Sequence, residues 1–269
     1  MKISNEWFSA MKALCAVSMW LFPLSVFAVG ELETTDTRSV SLGGVRALSA
    51  DLLNPAQVSF TERPFIGLSV LNRFQMKELN TANLSVAFPN VWVDAGVQLA
   101  TFGFSDYRLS RLQGSFSKKL SGSVAVGIQL AAVVESSILE PTDRYGISSG
   151  LGVIYRINEK VDCAVLGENL LTTLPEINRN ICAGVNYHAV ENVNLLTEVA
   201  YGNRTDLYFV AGMEYIVSEL FALRAGYNSY THSPSLGVGF LMHKWRIDAG
   251  FSFHSVLGLN SAIGVIYEL

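Results

Sequence analysis

The chain has 269 residues, 50% hydrophobic and only 16% charged, with a mean hydropathy of +0.32. It is mildly acidic, with a formal net charge of −4 and a pI near 5.6; it has no basic run, which argues against a nucleic-acid partner. Beyond the N-terminus no stretch of about 18 uninterrupted apolar residues occurs. Hydropathy this high therefore implies apolar residues interleaved with polar ones, as in a membrane barrel, rather than membrane helices.

Residues 1–28 read as a cleaved secretory signal. Lys2 and Lys12 precede an apolar core from Ala13 to Val26, and Val26-Phe27-Ala28 supplies small residues for a cut after Ala28. Cleavage removes Lys2, Lys12 and Glu6 and moves the formal charge from −4 to −5. Cys15 leaves with the signal, and Lys12-Ala13-Leu14 ahead of it lacks the small residue that a lipid-anchor site needs.

Residues 29–64 form a second region, dominated by SLGGVRALSADLLNPAQVSF, Ser41 to Phe60. This stretch does not alternate. It is too apolar for a free tail and has no place in a membrane wall, so it is expected to act as a hatch inside a barrel built by residues 65–269.

From residue 65 onward nearly every segment of ten to twelve residues alternates. In Lys244–His254, Trp245, Ile247, Ala249, Phe251 and Phe253 share one face, and Lys244, Arg246, Asp248, Gly250, Ser252 and His254 the other. Fourteen strands are expected: about 65–74, 81–89, 91–102, 106–118, 121–134, 143–157, 159–169, 179–189, 191–201, 205–216, 218–228, 232–242, 244–254 and 258–269. Connections after even strands are short and most of those after odd strands are longer, as at 135–142 and 170–178. This rim asymmetry, with an even strand number, describes a closed antiparallel transmembrane β-barrel, an all-β fold.

Aromatic residues support that reading. Tyr155, Tyr187, Tyr215, Trp245 and Tyr267 stand at strand ends beside the short turns, and Tyr145, Tyr201, Tyr227 and Phe253 at the opposite ends. All fall on the outward face, as two girdles at the two membrane interfaces would.

The inward face carries Gly96, Gly127, Gly146, Gly150, Gly152, Gly184, Gly212, Gly226, Gly237, Gly239, Gly250 and Gly264, which make room for other backbone. It also carries charges: Asp94, Arg156, Asp162, Glu168, Glu198, Glu214, Arg224, Arg246, Asp248 and, on the last strand, Glu268. In a narrow lumen these are expected to pair with one another or with Arg38 and Arg46 of the hatch, and Arg246 with Glu268 on the final hairpin.

Cys163 is expected opposite about Asn186 and beyond disulfide reach of Cys182, so that both are free thiols, one facing lipid and one the lumen. Two cysteines at this spacing without partner histidines make no metal site. No cofactor is expected. His232-Ser233 and His254-Ser255 are neighbours pointing to opposite faces, so neither is a nucleophile–base pair. The GISSGLG run, Gly146–Gly152, has no following helix and is no phosphate loop. The chain reads as a non-enzyme.

The 41–60 segment resembles the N-terminal hatch of the FadL-like outer-membrane superfamily, in which a glycine and small-residue run precedes an Asn-Pro-Ala element. Gly43 and Gly44 with Asn54-Pro55-Ala56 match it. The C-terminal LRAGYNSYTHSPSLGVGF and WRIDAGFSFHSVLGLNSAIGVIYEL are similar to the Bacteroidota branch of that superfamily, which includes the PorV/PorQ-like proteins of type IX secretion. The resemblance implies fourteen strands, a hatch, and residence in the outer membrane of a Gram-negative bacterium, in contact with its lipid. Fatty-acid transporters of the superfamily carry long extracellular loops, and here the longest connection is about eight to ten residues. The expectation is therefore an accessory or scaffold barrel with protein partners in an envelope complex of secretion or barrel-assembly type. The alternative is a passive route for small hydrophobic compounds.

Overall fold

The computed structural model describes residues 36–49, 52–140, 142–175 and 177–269. The signal read over 1–28 lies outside the described residues. Fourteen strands follow one another: β1 Phe65–Asn72, β2 Asn80–Phe88, β3 Asp94–Gly103, β4 Tyr107–Lys119, β5 Val124–Ser137, β6 Arg144–Asn158, β7 Val161–Thr172, β8 Asn180–Val190, β9 Val193–Gly202, β10 Tyr208–Ser218, β11 Phe221–Asn228, β12 Ser233–Met242, β13 Trp245–His254 and β14 Gly258–Glu268. Each pairs antiparallel with its sequence neighbours. β14 returns to β1, from Phe65 opposite Glu268 to Asn72 opposite Ser261, so the sheet closes. Closure gives every strand two partners and leaves no edge, the condition for a sheet to sit in hydrocarbon.

Alternation decides the faces. Leu68, Leu130, Ile147, Leu151, Leu236 and Ile263 lie on the exposed outer face, whereas Ala87, Ala125, Ile154, Leu166, Ala200 and Ala222 are buried inside. An exposed apolar exterior around a closed sheet is the surface a bilayer core solvates. Among the described residues no helix is long and apolar enough to cross a membrane, which says nothing of strands.

The connections 159–160, 191–192, 219–220 and 243–244 are two residues each and share one rim with 89–93 and 120–123. The opposite rim carries the longer connections 73–79, 138–143 and 173–179, together with 104–106, 203–207, 229–232 and 255–257. Strand limits move by a few residues from expectation. β3 begins at Asp94 rather than 91, because Asn90 accepts from the Trp92 amide and Asp94 from the Asn90 amide, fastening 90–94 as a turn. β10 begins at Tyr208 rather than 205.

Register shifts at Arg156/Asn158, His188/Val190 and Ile216/Ser218 lie at strand ends beside the short turns, and a fourth interrupts the wall farther inside β6 and β7. Ser149 pairs with Leu171 and Leu151 with Gly167, so Gly150 alone faces the three residues Glu168, Asn169 and Leu170 of β7. Across this bulge Leu166, Gly167, Glu168 and Asn169 are buried in succession, Gly167 beneath the Leu170 side chain, with Asn169 at φ +52°. A double bulge of this sort bends a strand and re-aims its side chains.

Candidate functional site

Residues 36–49 and 52–60 lie against the inward face of the wall. The segment starts with helix α1, Thr37–Ser41, whose N-cap Asp36 accepts from the Arg38 amide at 2.8 Å. Gly43 and Gly44 follow at φ +82° and +92°, a left-handed turn that side chains resist. Ser39 Oγ donates across it to the Val45 carbonyl at 2.6 Å. Asn54 caps the 3-10 helix Pro55–Phe60 through the Ala56 amide, and its Nδ2 donates back to the Ala47 carbonyl at 2.8 Å. Asn54-Pro55-Ala56 is thus a cap, a proline pre-set for the first helical position, and a capped amide.

The inward glycines are where this segment touches the wall. Thr37 meets Gly264, Ser41 meets Gly237 and Gly250, Leu42 meets Gly212 and Gly226, and Ala47 meets Gly184. Farther round the barrel Leu52 meets Gly96, Pro55 meets Gly127, and Asn54 meets Gly152. At Gly127 a β-carbon would lie 2.5 Å from the Pro55 carbonyl carbon, a separation no side chain can take. Gly146, Gly150 and Gly239 meet other neighbours, among them Leu174, Gln129 and Arg224.

Charges fasten the same segment in two groups. Arg38 donates through Nε and Nη2 to both Glu214 oxygens at 2.9 and 2.7 Å. Glu214 also accepts from Arg224 Nε at 2.7 Å; Arg224 Nη1 reaches Asp248 at 2.5 Å, and Asp248 accepts from Arg246 Nε at 2.9 Å. Burial opposes the charge on Arg38, but the Glu214 carboxylate more than offsets it, and its pKa rises above the ordinary guanidinium value. In the second group Arg46 Nη2 donates to Glu168 at 2.8 Å. The amides of Arg46 and Ala47 donate to one oxygen of Glu198 at 2.9 and 2.7 Å. Paired, hydrogen-bonded charges are the form in which a closed lumen tolerates them.

The remaining charges fall elsewhere. Asp94 accepts from Ser59 Oγ at 2.7 Å. The Arg156 guanidinium stands 3.8 Å from the Phe60 ring centre, and Asp162 contacts His188 Nε2 at 3.1 Å. The expected Arg246–Glu268 pair does not form. In the β13–β14 register Arg246 stands opposite Ile266, and Glu268 lies beyond the pairing, where Arg63 reaches it at 3.6 Å in an exposed contact. The expectation placed the hairpin two residues out of register.

Tyr145, Tyr155, Tyr187, Tyr201, Tyr215, Tyr227, Trp245 and Phe253 are exposed, and Tyr267 packs on Trp245 in a tilted arrangement with ring centres 4.6 Å apart. Cys163 stands opposite Val185, not Asn186, and Cys182 opposite Leu166; both are free, with Cys182 buried. His254 Nδ1 accepts from the Val256 and Leu257 amides, and His232 Nδ1 meets the Tyr227 hydroxyl. Among the described residues no group of three or more side chains could hold a metal ion.

Two features of the lumen escape sequence reading. Gln113 donates to Gln98 and Gln129 at 3.0 and 3.3 Å, one rung from the buried Arg111. Alternation along β4 already puts Leu109, Arg111, Gln113, Ser115 and Ser117 on one face, and that was the available signal. The second is an apolar cap at the longer-loop rim, where Leu174 of the 173–179 connection packs with Phe102, Leu109 and Val133. A loop leucine folding inward has no local signature.

No family model and no curated protein matches the chain. Solved structures do. The Pseudomonas putida toluene transporter TodX aligns at TM-score 0.65 and 15% identity, over 89% of this chain and 98% of its own. The CymD monoaromatic hydrocarbon channel aligns at 0.65 and 14%, over 86% and 96%. A Pseudomonas aeruginosa FadL homologue aligns at 0.64 and 11%, over 88% and 99%. At such identities the likeness is one of fold alone, that of a closed barrel over 86–89% of this chain.

Proposed function

We propose that the chain is an outer-membrane barrel giving small hydrophobic compounds a passive route across that membrane, with residues 36–60 as a hatch whose displacement opens it. The observation that carries this reading is the interrupted β6–β7 ladder. The wall loses its regular pairing around Gly150, where Glu168 is turned inward to hold Arg46 of the inner segment. A movement of that segment would act directly on this interrupted stretch of wall. The reading is further supported by the likeness of fold, over 86–89% of this chain, to proteins described as a toluene transporter and a monoaromatic hydrocarbon channel.

A second reading, an accessory subunit held in an envelope complex, draws on the short connections, the longest of which are 73–79 and 173–179. They offer little external surface for first capture of a solute.

A reversible lock separates the two. A β-carbon at position 184 lies 3.5 Å from that of Ala47, within disulfide range. Ala47→Cys with Gly184→Cys, in a background with Cys15, Cys163 and Cys182 changed to Ala, ties the segment to β8. In Gram-negative cells expressing the protein, labelled toluene uptake is expected to fall to the empty-vector level when the pair is oxidised and to recover on reduction. Uptake by the unlocked protein no faster than vector alone would sink the transport reading in favour of the accessory one. Equal uptake locked and unlocked would keep the channel and remove the hatch as its gate.

A further inference from the structure

Six connections lie on the short-turn rim, and most carry charge: Glu159 and Lys160, Glu191, Glu219, and Lys244. The turn between β2 and β3, Pro89-Asn90-Val91-Trp92-Val93, carries none. It exposes three large apolar side chains in a row, Val91 at 94%, Trp92 at 78% and Val93 at 46%. The turn is ordered by the Asn90 and Asp94 side chains, so these residues are presented by a fixed backbone.

The girdle on this rim is incomplete. Tyr155 on β6, Tyr187 on β8, Tyr215 on β10, Trp245 on β13 and Tyr267 on β14 supply rings with a polar end. Around the sector β1–β5 the corresponding outward positions hold Ile66, Phe88 and Val126, with no Tyr or Trp. Trp92 stands in the middle of that gap, four residues past the exposed Phe88. An indole joins an apolar body to one N–H donor, the chemistry favoured where acyl chains meet headgroups. Charged turns on the same rim belong in water, and an uncharged Val-Trp-Val turn does not.

We propose that the 89–93 turn is a lipid-interface anchor: Trp92, flanked by Val91 and Val93, folds outward into the headgroup boundary of the adjacent leaflet and completes the girdle over β1–β5. The occupant of this surface is the membrane itself, not a protein. The anchor is independent of whether the barrel conducts solutes.

The chain has four tryptophans, Trp7, Trp20, Trp92 and Trp245. The full chain with Trp7→Phe, Trp20→Phe and Trp245→Phe, refolded into phospholipid vesicles and checked for a heat-modifiable band, leaves Trp92 as sole emitter. With lipids brominated at different acyl depths, the expected result is loss of Trp92 emission that is greatest for bromine on the carbons nearest the headgroups and declines toward the chain ends. Emission indifferent to brominated lipid but quenched by aqueous iodide would overturn the proposal and make the turn a water-facing surface open to a protein partner. Quenching greatest at the chain ends would overturn it as well, by placing the indole in the hydrocarbon core.

Discussion

At the scale of single residues, the inward glycines and the arginines of the inner segment do opposite work: the first admit the segment and the second hold it. At position 250 a β-carbon would lie 2.5 Å from Ser41 Oγ. Gly250→Leu is therefore expected to cost about 1–3 kcal/mol or more by overpacking, read as a lower folded fraction on heat-modifiable gels. Gly122→Leu, in an exposed turn with nothing within 4 Å, serves as the silent control. Arg38→Met leaves Glu214 to Arg224 and the Asn194 side-chain amide and should destabilise by about 3 kcal/mol, the range for breaking one side of a buried pair. Adding Glu214→Gln should recover part of that loss, because the network is not additive. Thermal melts of the wild type, the single variant and the double variant in detergent check both statements, and equal melting points throughout would mean that the Arg38 contact contributes nothing.

At the scale of the element, alternation and turn chemistry were readable strand by strand, since both depend on near neighbours. Trp245-Arg246-Ile247-Asp248 shows its two faces without any knowledge of what they face. The β7 bulge was not readable. Gly167-Glu168-Asn169-Leu170 reads equally well as strand or loop, and its four-against-two spacing on β6 exists only once Ser149 and Leu151 have taken their partners. Asn169 holds φ +52° and donates from Nδ2 to the Asn178 carbonyl at 2.9 Å, which ties the bulge to the 173–179 loop. Asn169→Ala is expected to lose about 1–2 kcal/mol, from left-handed strain and one hydrogen bond. Asn169→Gly should lose less, since glycine accepts the dihedral. Urea unfolding of refolded barrels gives the comparison; a glycine variant as weak as the alanine one would show that strain is not the cause.

At the scale of the whole molecule, closure makes every strand interior. β14 is bonded to β13 on one side and to β1 on the other, so the last strand to be made joins the first. Val265 pairs with Ile247 and with Leu68. Val265→Pro removes an amide and clashes in a strand bonded on both sides; the folded, heat-modifiable band is expected to disappear. Persistence of that band would mean the β1–β14 seam is not needed for a closed barrel.

The sequence by itself determined the strand number, which side chains face in and out, and the apartness of 41–60, because each follows from a two-residue period or from its absence. Only the tertiary structure decided which charges meet. Arg38 and Glu214 are 176 residues apart, and their pairing depends on where a non-alternating segment lies across a closed sheet. The same holds for the failure of Arg246 and Glu268 to pair, which a two-residue change of register decides, and for Leu174 closing over Phe102 and Val133. Faces are a local property of the chain, whereas partners across a lumen are set by closure and register, to which residues all round the barrel contribute.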